Sequence, residues 1–419
     1  MTMAFALRQC AWLGVRMNHA EDRDRIPSLD VIRGFAVLGI LIVNAAYFAA
    51  PWQTAINPAL PPLAVTDDTL WAWLAMHVFF EAKCITLFSL LFGASIYLVG
   101  GERDDDVRGR VLRRRLLWMV LFGLIHGALI WSGDILLTYA LAGLLVSFAR
   151  SWPPRQLMVS GLSIYAITFL LDALGGASLS GLGGDDLREI IESYWSPPPE
   201  ELARAIVAYQ AGALSALREN FSTWIDFVSF GLVGLIAQTG ALMLIGLALF
   251  KWGFLSGRAP IWLYVLMLVL GAAAFAIIAA QALASYAHGF DFTYMHAIGQ
   301  RANDLAIFGS LFYASLFILL VKTGARFITA PLAAVGRMAF TNYIAQSLIM
   351  TTIFYGGRGF ALFGEVDRPG LWAIVAAIWA VQLVWSPLWL ARFKMGPLEW
   401  VWRRLSYGAP LTINRGRNA

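Results

Sequence analysis

Apolar runs long enough to cross a bilayer recur along this chain, separated by short polar or basic segments. A membrane-spanning helix needs roughly 20 mostly apolar residues. The pattern predicts an all-α, polytopic helical membrane protein of about ten transmembrane helices, over 31–49, 70–99, 116–131, 134–149, 156–175, 227–250, 260–284, 304–321, 338–355 and 371–391. The segment GERDDDVRGRVLRRR lies outside the hydrocarbon, and a tight SGD turn joins the third and fourth helices. The longest polar stretch, 176–222, carries a Gly-rich SGLGGDD, a PPP break and the amphipathic ELARAIVAYQAGALSALREN, which together predict an extracytoplasmic cap. The chain then divides into an N-terminal extension, 1–24, a single membrane domain, 25–408, and a short tail, 409–419.

Charge orients this array, because short basic loops stay on the cytoplasmic side. Alternate helix ends collect Arg103, Arg108, Arg110, Arg113, Arg114, Arg115, Arg150, Arg155, Lys251, Arg258, Lys322, Arg326, Arg337, Arg392 and Lys394, whereas the loop 51–69 has no Lys or Arg. Both termini are therefore expected in the cytoplasm. The net charge of +5 follows from those loops and gives no reason to expect a nucleic-acid partner. The composition, 59% hydrophobic and 14% charged with a mean hydropathy of +0.67, rules out a soluble domain. Two cysteines, Cys10 and Cys84, are too few for a disulfide framework or a structural zinc site, and no metal cluster is expected. The AWLGV stretch near the N-terminus is too short for a secretory signal, and Met17 opens a hydrophilic lead-in with the pattern of an alternative start. There is no Walker loop, dinucleotide fingerprint or HExxH motif, which disfavours an ATP-driven pump or a metallopeptidase.

Polar residues at membrane depth carry the chemical signal, since they are costly there and usually face a cavity, a partner or a substrate. At 1.5 Å per residue, Asn44 and His126 each lie roughly 16 Å along their helices from Arg33 and Arg115, and Glu81 and Lys83 lie roughly 16–20 Å in from the other side. These four are expected to converge near one level, either as a structural network tying helices together or as a functional site. His126 is the natural general base, with Glu81 or Asp134 as the carboxylate that orients it. Asp134 equally fits an N-cap of the fourth helix. Asp30 and Arg33, with Arg113 and Arg337, form a cationic mouth suited to a phosphate-bearing ligand or to lipid headgroups. Asn342 and Gln346, one turn apart, are expected to line the same cavity.

RIPSLDVIRGFAVLGILIVN at 25–44 resembles the N-terminal signature of the bacterial YeiB family of membrane proteins. The resemblance continues through FFEAKCITLFSLLFGASIYL at 79–98, RRRLLWMVLFGLIHGALIWSGDILLTYALAGLL at 113–145, GRMAFTNYIAQSL at 336–348 and GPLEWVWRRLSY at 396–407. Cys84 departs from the family's pattern, which has an aromatic after the lysine. The family is similar to a wider group of transmembrane acyltransferases, including the lysosomal heparan glucosaminide N-acetyltransferase and bacterial sugar O-acetyltransferases, through the LDxxRG opening seen here as Leu29, Asp30, Arg33 and Gly34. That resemblance implies a multi-pass protein of the bacterial inner membrane that moves an acyl group from cytosolic acyl-coenzyme A to an extracytoplasmic or lipid-linked small-molecule or glycan acceptor. Asp30 and Arg33 would sit at its donor side. Asn44 or Lys83 would steady the oxyanion, no tightly bound cofactor is needed, and a homo-oligomer is compatible with it. A transporter and a non-catalytic scaffold are the competing expectations from the same polar residues.

Overall fold

A computed structural model describes residues 25–179, 184–299, 301–408 and 411–414. The 1–24 extension, with Cys10, and most of the tail lie outside the described residues. No strand occurs among them, and the α-helices of ten or more residues are α1 (Pro27–Ala49), α2 (Leu70–Phe79), α3 (Lys83–Gly100), α4 (Asp106–Ile125), α5 (Leu136–Val146), α6 (Pro154–Leu179), α7 (Pro199–Gln210), α8 (Ala213–Lys251), α9 (Ile261–Ala287), α10 (Ala306–Lys322), α11 (Arg326–Arg337), α12 (Ala339–Phe354), α13 (Arg368–Arg392) and α14 (Pro397–Tyr407). Among the described residues seven spans, counting α2 and α3 as one, are long and apolar enough to cross a membrane. The protein is thus an all-α, polytopic membrane protein. The other three expected spans also form helices, but α5 and α12 are short and α4 is rich in arginine.

Several boundaries differ from the sequence pattern, each for a local reason. The run 70–99 is two helices, because Ala82 adopts a positive φ of 61° and the chain turns at Phe80–Ala82. The basic segment before the third span is helical, because the Asp105 side chain accepts the Arg108 N–H and caps it. α4 ends in a single π turn, His126–Ile130. α8 begins at Ala213, directly after the positive-φ Gly212, so the last part of the polar stretch is the start of a 39-residue helix. Two amphipathic helices, α11 and α14, lie outside the ten expected spans.

α1 is the central helix, with 72% of its apolar window buried, whereas α6 has 11% and turns Leu162, Leu170 and Leu171 outward toward lipid. In a bilayer, small residues let helix backbones approach and gain contact. A methyl group on Gly34 would lie 1.9 Å from the Leu332 carbonyl oxygen, and one on Gly336 would lie 1.9 Å from that of Asp30. α1 and α11 therefore touch through a reciprocal glycine pair. Gly93 against Met243 and Gly246 against Leu90 join α3 to α8 in the same way. The 184–210 part of the polar stretch packs onto the far end of the bundle: Tyr209 stacks on Phe363 and Tyr355, the Gly356 N–H donates to Tyr209, and Asn57 donates to the Trp195 carbonyl.

Either Gly34→Ala or Gly336→Ala is expected to destabilise the protein by about 1–3 kcal/mol through overpacking of backbone on backbone. Thermal unfolding of the detergent-solubilised variants checks this, and Gly175→Ala, which meets open space, serves as the control.

Candidate functional site

Each interruption of a membrane-depth helix frees backbone carbonyls that no water can satisfy, so side chains must reach them. At the π turn, the Asn220 amide donates to the Gly127 and Ala128 carbonyls, and the Arg358 guanidinium donates to those of Leu129 and Ile130. The turn is thereby held rigid, and it swings the chain round so that Asp134 faces back onto His126.

His126 Nδ1 lies 2.8 Å from Asp134 Oδ1, and its Nε2 lies 2.9 Å from Ser347 Oγ. All three residues are buried, at 1%, 2% and 1% exposure. A carboxylate can only accept, so Nδ1 is the donor to it, and in the neutral imidazole Nε2 is then the acceptor for the Ser347 hydroxyl. Asp134 also accepts the backbone N–H groups of Leu136 and Leu137, so capping of α5 and orientation of the imidazole are performed by one carboxylate. Serine, histidine and aspartate are linked in the order that activates a hydroxyl for acyl transfer.

Glu81 does not join this group. Its carboxylate pairs with His77 Nδ1 at 2.6 Å, one turn earlier on α2. Lys83 is fully buried and donates to the His77 carbonyl and to Asn303 Oδ1. Tyr313 and Ser310 complete this break by donating to the Phe79 and Lys83 carbonyls. The expected single polar level is therefore two centres, because the turn at Ala82 needs Lys83 at its own carbonyls. Asn44 is half-buried and joins neither centre by a hydrogen bond.

A cavity of about 460 Å³ opens at the arginine-rich end and runs inward to Leu136, Tyr139 and Tyr343. Asp30, Arg33 and Arg337 line it, together with Arg25, Arg108, Arg115 and Arg403, whereas Arg113 is exposed and outside it. Asp30 accepts from both Arg25, at 2.9 Å, and Arg33, at 3.1 Å, and Ser95 accepts from Arg33 as well. Arg115 stacks on Trp402. Asn342 and Gln346 do not line the cavity: Asn342 donates to Ser386, Gln346 to Gln382, and Gln382 back to the Asn342 carbonyl, which ties α12 to α13. The inner wall is Tyr343, whose ring centre is 5.2 Å from that of His126. At the mouth, Glu399 accepts the Phe340 and Thr341 N–H groups and the Thr341 hydroxyl, capping α12 from α14. Among the described residues no group of three His, Cys, Asp or Glu side chains is placed to hold a metal ion.

Fold and site together define a polytopic helical membrane protein with a buried Ser–His–Asp arrangement, separated by the Tyr343 ring from the inner end of a cationic cavity. The chain belongs to the YeiB family: it is 35% identical to the uncharacterized protein YeiB of Escherichia coli (strain K12) over 400 residues, covering 92% of this chain and 97% of that one. It is also 32% identical to the uncharacterized protein YxaH of Bacillus subtilis (strain 168) over 419 residues, covering 92% and 94%. A 39.9 kDa protein encoded in the amylase 3′ region of Bacillus acidopullulyticus is 28% identical over 396 residues, covering 93% and 96%. Residues 249–409 match the family model described as a protein of unknown function, DUF418. No solved structure matches the chain.

Ser347 escaped the sequence reading because nothing in YIAQSL separates it from other small polar residues of α12. Its only local mark is its place one turn beyond Tyr343, in a polar stripe that includes Asn342, Gln346 and Thr351. His77 had a stronger mark, its i, i+4 spacing to Glu81.

Asp134→Ala is expected to cost about 2–4 kcal/mol, since it removes a cap and leaves a buried imidazole unpaired. Asp134→Asn, which keeps acceptor oxygen for the cap, should cost less; chemical denaturation in detergent compares the two. Withdrawal from water pushes the Glu399 carboxyl above its ordinary value. A carboxyl raised on folding favours the folded state below its unfolded value, about pH 4.3, and that advantage is lost as pH rises through the raised value. Glu399→Gln is expected to flatten this part of the pH dependence of the unfolding temperature, measured from about pH 4 upward.

Proposed function

We propose that this protein is an acyltransferase of the bacterial inner membrane, taking an acyl group from cytosolic acyl-coenzyme A and delivering it to a small-molecule, glycan or lipid-linked acceptor from the other side. The observation that carries this reading is His126, held between the Asp134 carboxylate and the Ser347 hydroxyl directly behind the inner wall of an arginine-lined cavity. The arginine end suits the phosphates of the donor, because guanidinium groups bind phosphate through paired N–H donors. The inner part, walled by Phe88, Phe92, Met119 and Phe122, suits the thioester arm.

In this reading His126 is the general base. It withdraws a proton as the acyl carbonyl is attacked, and returns that proton to the departing coenzyme A thiolate. Asp134 fixes the tautomer that makes Nε2 basic and stabilises the imidazolium that forms. Trp131 and Phe48, stacked on each other, stand between His126 and the capped end of the bundle from which the acceptor would come. Lipid surrounds the bundle as solvent, and no nucleic acid takes part.

Binding of coenzyme A and acetyl-coenzyme A to the purified protein, measured by calorimetry, tests the reading. Arg33→Ala is expected to weaken binding about 10- to 100-fold, as for loss of a charged hydrogen bond, while His126→Ala keeps binding and loses turnover. Absence of binding by folded protein at millimolar ligand would overturn the reading and favour a transporter.

A further inference from the structure

We infer that Ser347 carries the acyl group as an ester between donor and acceptor, so that the transfer proceeds in two covalent steps through the enzyme. This rests on the acyltransferase reading above and adds to it the nucleophile and the order of events.

The geometry of the buried group is what points to Ser347. Its Oγ lies 2.9 Å from His126 Nε2, closer than the 3.3 Å to the Tyr343 carbonyl one turn back, so the imidazole is the better acceptor for its proton. A purely structural serine at membrane depth is ordinarily satisfied by its own helix carbonyl and needs no imidazole backed by a carboxylate. Two further buried donors flank the same imidazole. Trp131 Nε1 and the Tyr343 hydroxyl have no partner at hydrogen-bonding geometry among the described residues, the Ile135 backbone being the polar group beside Tyr343. Their rings are centred 6.2 Å and 5.2 Å from the His126 ring. An orphaned buried donor is rare and unfavourable in a folded protein. Open donors beside a Ser–His–Asp arrangement are available to an oxygen that gains negative charge during reaction.

The first step forms the bond from Ser347 Oγ to the acyl carbonyl carbon and passes the hydroxyl proton to His126 Nε2. The carbon–sulfur bond then breaks, and the coenzyme A thiolate leaves with that proton as the free thiol. In the second step the hydroxyl or amine of the acceptor gives its proton to His126 and attacks the ester. Ser347 Oγ leaves and recovers the proton. Tyr343 separates the cavity from Ser347 in this conformation, so its side chain turns aside for the first step. A covalent relay lets donor and acceptor use opposite ends of the protein without meeting.

The intact protein in lipid nanodiscs, given acetyl- or palmitoyl-coenzyme A without acceptor, is expected to release one thiol per chain in a burst and to gain an acyl group on the peptide containing Ser347. Ser347→Ala should bind coenzyme A as the wild type does, show no burst and lose turnover by about 10³-fold or more. Ser347→Cys, should Ser347→Ala fail to fold, is expected to carry a thioester at the same position that hydroxylamine cleaves. Folded wild-type protein that binds the donor yet gains no acyl group from either probe, or Ser347→Ala that keeps full turnover, would overturn the covalent relay and leave direct transfer. Loss of donor binding altogether would overturn the acyltransferase reading itself.

Discussion

A backbone group inside the hydrocarbon must find its hydrogen bond within the protein, because neither lipid nor water supplies one. Two places where this chain breaks a helix at depth are also places where ionisable side chains gather. At Phe80–Ala82 the freed His77 and Phe79 carbonyls are taken by Lys83 and Tyr313. At the His126–Ile130 turn they are taken by Asn220 and Arg358, from residues about 90 and 230 positions away. Irregular backbone thus requires distant partners, and those partners fix the turn that sets Asp134 against His126.

The same constraint divides the arginines by role. At the capped end, Arg358 and Arg368 are spent on backbone carbonyls, the latter donating to Leu63 and Thr54. At the other end, Arg33 and Arg115 keep part of their guanidinium surface on a cavity, held in place by Asp30 and Trp402. The mouth exists because Gly34 and Gly336 let α1 and α11 touch, which brings Asp30, Arg33 and Arg337 onto one wall. A residue with a side chain at either glycine would separate the two helices that build it.

Between these ends the site is closed on both sides by aromatic rings, Tyr343 toward the cavity and Trp131 toward the cap. Closure excludes bulk water from the His126 imidazole. Access to His126 therefore depends on side-chain motion of those rings. The second polar centre, with His77, Glu81 and Lys83, stays apart from this one and holds the α2–α3 turn to α10.

The linear pattern of apolar runs determined the class of protein, the number of principal helices to within a few and the arginine-rich end, and it singled out His126 and Asp134 as polar residues at depth, because burial in lipid imposes run length and loop charge locally. It also marked Asp30 and Arg33 at one mouth. Tertiary structure alone decided which carboxylate serves His126, that Asn342 and Gln346 bind helices together instead of lining the cavity, and that Arg115 rather than Arg113 faces it. Ser347 belongs to the site only because α12 passes beside the π turn 221 residues after His126. A small hydroxyl on an apolar helix has no local signature; its meaning comes from the group that the fold sets across from it.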